Sequence, residues 1–144
     1  MPILNYTTTI DAHRTVTEVQ RLLATHGARA IMVEYNSAGA PVGLAFEIVR
    51  GDRTLRYRLP CRHENLLVLL RKDPSVKAAH KTPAHALRVG WRILLNWCEV
   101  QMALIDADLS SVDEVFMPYA LVGDNQTIYE RWSSTLLLPG GNNG

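Results

Sequence analysis

The chain has 144 residues, 47% of them hydrophobic and 20% charged, with a formal net charge of +1. That length and balance describe one globular domain with a real core, and they exclude a low-complexity or repeat architecture. Two isolated cysteines, Cys61 and Cys98, exclude a disulfide-stapled scaffold and fit a reducing cytoplasm. The opening MPILNYTTTIDAHR lacks a basic start followed by an apolar run, so no signal peptide is expected.

The small net charge hides a strong polarity. Between Arg50 and Arg92 eleven Lys/Arg face three acids, so that segment is +8 and the remainder is −7. A charge split of this kind makes a directional field.

In chain order, the Thr/Tyr-rich run 4–11 predicts a first strand. Thr15-Val-Thr-Glu18 matches a capping box and predicts a helix of about three turns, with Val16, Val19, Leu22 and Leu23 on its apolar side and a stop at Gly27. Three strands are expected next, over 30–35, 42–50 and 53–59. Leu44, Phe46 and Ile48 alternate inward on the second, and Leu55, Tyr57 and Leu59 on the third. Gly51-Asp52 joins the last two as a glycine-first hairpin turn, and Pro60 ends the third. Thr54, Arg56 and Arg58 then point outward. Residues 64–72 read as a short amphipathic helix and 73–81 as a polar, basic connector.

A long helix is expected from Thr82 to about Asp108. Thr82 is a good N-cap and Pro83 suits the first helical position. Its polar residues His85, Arg88, Arg92, Asn96, Glu99 and Asp106 fall in one narrow stripe, and almost all else is apolar, so the helix should be the spine of the core. Arginines near its start and acids near its end oppose the helix dipole, so something other than helix stability selects them. Arg88, Arg92 and Glu99 also argue against a transmembrane reading. Ser111-Val-Asp-Glu114 is a second capping box, and Pro118 should end the helix it opens. Residues 126–134 are ambiguous, and 139–144 read as a disordered tail beyond a domain of residues 1–138. The expected fold is α+β, an antiparallel three- to four-stranded meander packed against a long central helix with shorter helices.

No motif for chemistry is present. Cys61, His63, His80 and His85 are ligand types without zinc spacing, and phosphate loops and nucleophile signatures are missing. Asp106, Asp108, Asp113 and Glu114 gather near one helical corner, where capping and solvation explain them. No catalytic residue, metal or cofactor is expected. The candidate site is basic: Arg50, Arg53, Arg56, Arg58, Arg62, Lys77, Lys81, Arg88 and Arg92 as phosphate-binding residues. Arginine's planar fork matches phosphate oxygens, and Arg56 and Arg58 lie about 7 Å apart on one strand face, near the phosphate spacing of an extended single strand. Arg88, Arg92 and Glu99 have an equal claim as salt-bridge partners. Tyr57, Trp91 and Trp97 read as core.

YTTTID, HGARAIMVEY, WRILLNWCEVQMALID and EVFMPYALV together resemble a family of small, uncharacterised proteins of phages and prophages, over about Asn5 to Trp132. The resemblance implies a host-cell cytoplasmic setting, in DNA metabolism or in countering host defence, and assigns no site. The element order is also similar to the core of phage single-strand annealing proteins, in which a three-stranded sheet precedes a long helix and rings or filaments hold DNA in a basic groove. This likeness is one of topology. The expected function is therefore an oligomeric single-stranded nucleic-acid-binding protein. The alternatives are capture of a small phosphorylated ligand such as a cyclic nucleotide, and an interaction protein with an acidic partner.

Overall fold

In the computed structural model, which describes residues 3–123 and 125–137, the element order is α-β-β-β-α-α-α-β-β-α. The first strand expected over 4–11 is not there. Asn5 takes the left-handed φ of 64°, and the Tyr6 and Thr8 amides turn back to the Ile3 and Asn5 carbonyls, so the segment is a turn followed by irregular chain. The expected tail at 139–144 lies outside the described residues.

Helix α1 (Ala12–Thr25) begins earlier than the capping box at Thr15 suggests. Asp11 is the N-cap, accepting from the His13 amide at 3.0 Å, and Thr15 is fully buried one turn inside. Its apolar side, Val16, Val19 and Leu23, faces the core. Strands β1 (Ala28–Tyr35), β2 (Pro41–Arg50) and β3 (Arg53–Pro60) form the expected antiparallel meander in the order β1-β2-β3. Gly51 has the positive φ of 65° that a glycine-first hairpin turn needs, and the turn sets Glu47 opposite Arg56 and Ala45 opposite Arg58.

Helix α3 (Pro83–Asp106) is the spine. Thr82 accepts from the His85 amide at 3.1 Å, and Leu87, Trp91, Leu95, Cys98 and Met102 recur at steps of three and four along the buried side. The Trp91 indole N–H donates to the Pro41 carbonyl at 2.9 Å, pinning the helix to the start of β2. Phe46, Tyr57, Trp97 and Phe116 form an aromatic cluster between sheet and helices, with ring centroids 5.1–5.7 Å apart. Each such side chain contributes about 1.5–3 kcal/mol through burial. Tyr57 is only 2% exposed, so it is core.

Helix α2 (His63–Lys72) packs on α3, and with the connector it builds a second, smaller core of Leu70, Val76 and Ala86 under Ile3, Tyr6, Leu66 and Leu67. Helix α4 (Val112–Phe116) carries the expected capping box, and at Pro118 it gives way to a single 3-10 turn. A small hairpin of β4 (Leu121–Val122) and β5 (Gln126–Thr127) and a last helix α5 (Ile128–Leu137) replace the ambiguous C-terminal stretch. A bridge between Tyr57 and Ala120 sets that hairpin beside β3. Among the described residues no helix is long and apolar enough to cross a membrane.

Candidate phosphate-binding surface

Alternation on the meander puts Arg56 and Arg58 on the sheet face away from α3, as expected. That face also carries acids. Glu47, on the outward parity of β2, takes Arg56 at 2.7 Å and is 3.6 Å from Arg29. Glu34, on β1, reaches across the sheet to within 3.4 Å of Arg58. It does so over Gly43, where even a Cβ would come within 2.9 Å of the carboxylate. Arg58 is largely covered and also donates to the Asn125 carbonyl at 3.0 Å. A cleft of about 370 Å³ lies over this face, floored by Ala30, Met32, Ala45 and the charged pairs and overhung by Leu121 and Asn125. The face is therefore nearly charge-balanced.

At the hairpin end, Arg50 lies 3.5 Å from Asp113, while Arg53 is exposed with no carboxylate partner among the described residues. Arg92 is engaged within the chain. It donates to Glu18 of α1 at 2.9 Å in the seam between α1 and α3. The neighbouring stripe residues are likewise engaged within the chain. Asn96 accepts from Asn5 at 2.7 Å and donates to Glu99 at 3.1 Å, and Asp106 lies 3.0 Å from His26. These partners, not helix stability, explain charges that oppose the dipole.

Arg88 donates to His85 Nδ1 at 3.2 Å, and His85 Nε2 lies 2.5 Å from the Tyr6 carbonyl. A permanently charged guanidinium on one nitrogen and a carbonyl on the other require the neutral Nε2–H tautomer. Burial pushes the His85 pKa down, with His80, stacked on it at 4.4 Å, and Arg88 adding to the shift against the Tyr6 carbonyl.

The remaining expected cations, Arg62, Lys77 and Lys81, lie with Arg88 on the lobe built by α2, the connector and the first turns of α3. Between residues 62 and 88 there are six Lys/Arg, Arg71 and Lys72 among them, and two acids, Glu64 and Asp73. No cation of this lobe has a carboxylate within ion-pair distance among the described residues. Asp73 is occupied by the Ser75 hydroxyl and amide at 2.6 and 2.9 Å, bonds that also lower its pKa. Arg62, Arg71, Lys72 and Lys77 are exposed. The nine expected residues thus divide into Arg50, Arg56 and Arg58, paired on the outer sheet face and hairpin, Arg53 unpaired beside them among the described residues, a group on the helical lobe without carboxylate partners, and Arg92 in a structural seam.

Sequence reasoning missed Glu34 and Glu47. Counting back from the Gly51-Asp52 turn places Glu47 opposite Arg56, so that pair was legible. Glu34 required the β1 register as well. Among the described residues no group of three or more His, Cys, Asp or Glu could hold a metal ion. Both thiols, Cys61 and Cys98, are buried, and burial pushes them up to about 12, well above the ordinary thiol range. The chain matches no protein-family model, no curated protein and no solved structure.

Proposed function

We propose that this protein is a non-enzymatic polyanion-binding protein whose ligand is single-stranded nucleic acid, held by its phosphates on the helical lobe. The observation that carries this reading is the contrast between two sets of cations. On the sheet, Arg50, Arg56 and Arg58 are matched by Asp113, Glu47 and Glu34, with Arg53 alone unpaired among the described residues, while none of Arg62, Arg71, Lys72, Lys77 and Lys81 has a carboxylate within ion-pair distance. Unmatched, solvated cations are the ones whose contact with phosphates releases counterions. Tyr57 is sealed in the core and residues 61–88 contain no aromatic ring of the Phe, Tyr or Trp type, so recognition would rest on charge with little sequence preference. The resemblance to phage-encoded proteins supplies a setting in the host cytoplasm.

The test is a fluorescence-anisotropy titration of a labelled single-stranded oligonucleotide at 50 and 200 mM salt. Engagement of about four phosphates predicts an affinity loss of about fifty-fold over that range. Lys77→Glu with Lys81→Glu should abolish binding, and Arg56→Ala with Arg58→Ala should change it little. A salt-insensitive interaction, or loss of binding through the sheet pair alone, refutes the assignment. A second reading has one observation in its favour. The outer-face cleft has the volume of a small-ligand site, and stoichiometric, salt-tolerant uptake of a cyclic nucleotide would select it. Binding to neither probe would leave an acidic protein as the partner.

A further inference from the structure

Strand β1 pairs with β2 on one side only, so its other edge offers a row of backbone donors and acceptors with no strand beside it among the described residues. Exposed edges are usually blunted by proline, by bulges or by a lysine in mid-strand. Here β1 is eight residues long, ARAIMVEY, with no proline or glycine, and its register with β2 is irregular only at the two ends. The middle carries apolar side chains left in solvent. Met32 is 58% exposed, and Tyr35, at the end of the strand, is 56% exposed.

The charges on this strand are ordered. Arg29 stands at its start and Glu34 near its end. A parallel, in-register neighbour of the same sequence would set Arg29 beside Arg29 and Glu34 beside Glu34. An antiparallel neighbour centred on Met32 sets Ala30 opposite Glu34 and Ile31 opposite Val33, bringing the basic end of each strand to the acidic end of the other. Residues paired in this way share a face, so the pattern of core-facing and outward side chains continues across the junction.

We propose that two copies of this chain join through their β1 edges, antiparallel about a two-fold axis at Met32, into one six-stranded sheet. Such an interface is isologous, each contact being made twice. Met32 meets its symmetry mate at the axis, and the two outer-face clefts become one continuous floor. The cations of the helical lobe lie on other elements, so this inference stands independently of the polyanion reading.

The test is sedimentation velocity on the full chain over a range of concentrations, with amide exchange in parallel. A dimer is expected, with amides of residues 30–34 gaining protection as concentration rises. Met32→Lys sets two ammonium groups opposite each other and should raise the dimer dissociation constant by at least about tenfold, while Met32→Leu keeps the dimer. Because Met32 lies outside the core, its lysine variant should keep the native circular dichroism spectrum. If it does not, Arg29→Glu, at a side chain 64% exposed, puts an acid at the basic end of each strand, next to the acidic end of the other copy, and should also weaken the dimer, with Arg29→Lys the control. A protein that is monomeric at every concentration overturns the proposal. So does a dimer that survives Met32→Lys, or one that is lost instead with Trp132→Ser on the exposed side of α5.

Discussion

A methyl group added at Gly90 should reverse the sign of its effect according to what stands at residue 61. Gly90 sits inside α3, and a Cβ there would lie 2.8 Å from Cys61 Sγ and 3.9 Å from Leu66 Cδ2, with no other atom beyond its own helical backbone and chain neighbours within 4 Å. Unstrained contacts of this kind begin near about 3.5 Å, so the overlap is large, and Cys61 is 4% exposed with little room to turn. Overpacking of this type costs about 1–3 kcal/mol, whereas replacing glycine by alanine in a helix interior contributes about 1 kcal/mol. Gly90→Ala alone should therefore be neutral to about 2 kcal/mol destabilising. In a Cys61→Ala background, where the sulfur is gone, the same change should stabilise by about 1 kcal/mol. Urea unfolding followed by tryptophan fluorescence of the four proteins gives the coupling energy, expected at about 1–3 kcal/mol. The packing of α3 on the end of β3 would be refuted if Gly90→Ala stabilised the protein with Cys61 in place, or if the coupling fell below about 0.5 kcal/mol.

Trp91→Phe should cost about 2–4 kcal/mol, since it leaves the buried Pro41 carbonyl without its donor and opens space in the core. A loss under about 1 kcal/mol in the same unfolding assay would contradict that role. The two shifted histidines should pull the pH dependence in opposite directions. His85 is held below its ordinary value near 6.5, so the unfolded chain takes up the proton first. Its contribution is complete above pH 6.5 and is lost as pH falls through the lower folded value. His26 is raised by its bond to Asp106 and, secondarily, by the Leu22 carbonyl. Its contribution is complete below 6.5 and is lost as pH rises through the folded value. Urea midpoints from pH 5 to 8 should show a shallower acid limb for His85→Gln and a shallower upper limb for His26→Gln. Unchanged limbs in both variants would sink the assignment.

The meander, the spine helix and the α4 cap were legible because each rests on a local rule: alternation, a capping residue, a two-residue turn. The failures have local reasons too. Residues 4–11 have strand composition, yet among the described residues no strand lies beside them, and Asn5 accepts a left-handed conformation that breaks the run. For α1, Asp11 and Thr15 were both competent caps, and the earlier one prevailed because burying Thr15 brings Ala12 and Val16 onto the core. Residues 126–134 read as ambiguous in the sequence, although Thr127-Ile-Tyr-Glu130 forms a capping box whose two bonds measure 2.9 and 3.1 Å. The short hairpin flanking α5 is too brief for any periodic signal. At the candidate site, the sequence revealed where the cations lie along the chain but not which acids reach them. Glu18, Glu34 and Asp113 are 74, 24 and 63 residues from the arginines they meet, and only tertiary packing supplies such pairs.

The missing side chain at Gly43 has an evolutionary consequence. The carboxylate that masks Arg58 crosses β2 through the space above this one residue, and any Cβ there must displace it. A glycine codon becomes an alanine codon through a single base change. One mutation, at a position bearing no charge of its own, would thus unmask a cation on the outer face. The surface potential of this face is stored in a steric gap, and lineages of the protein can retune it without altering a single acidic or basic residue.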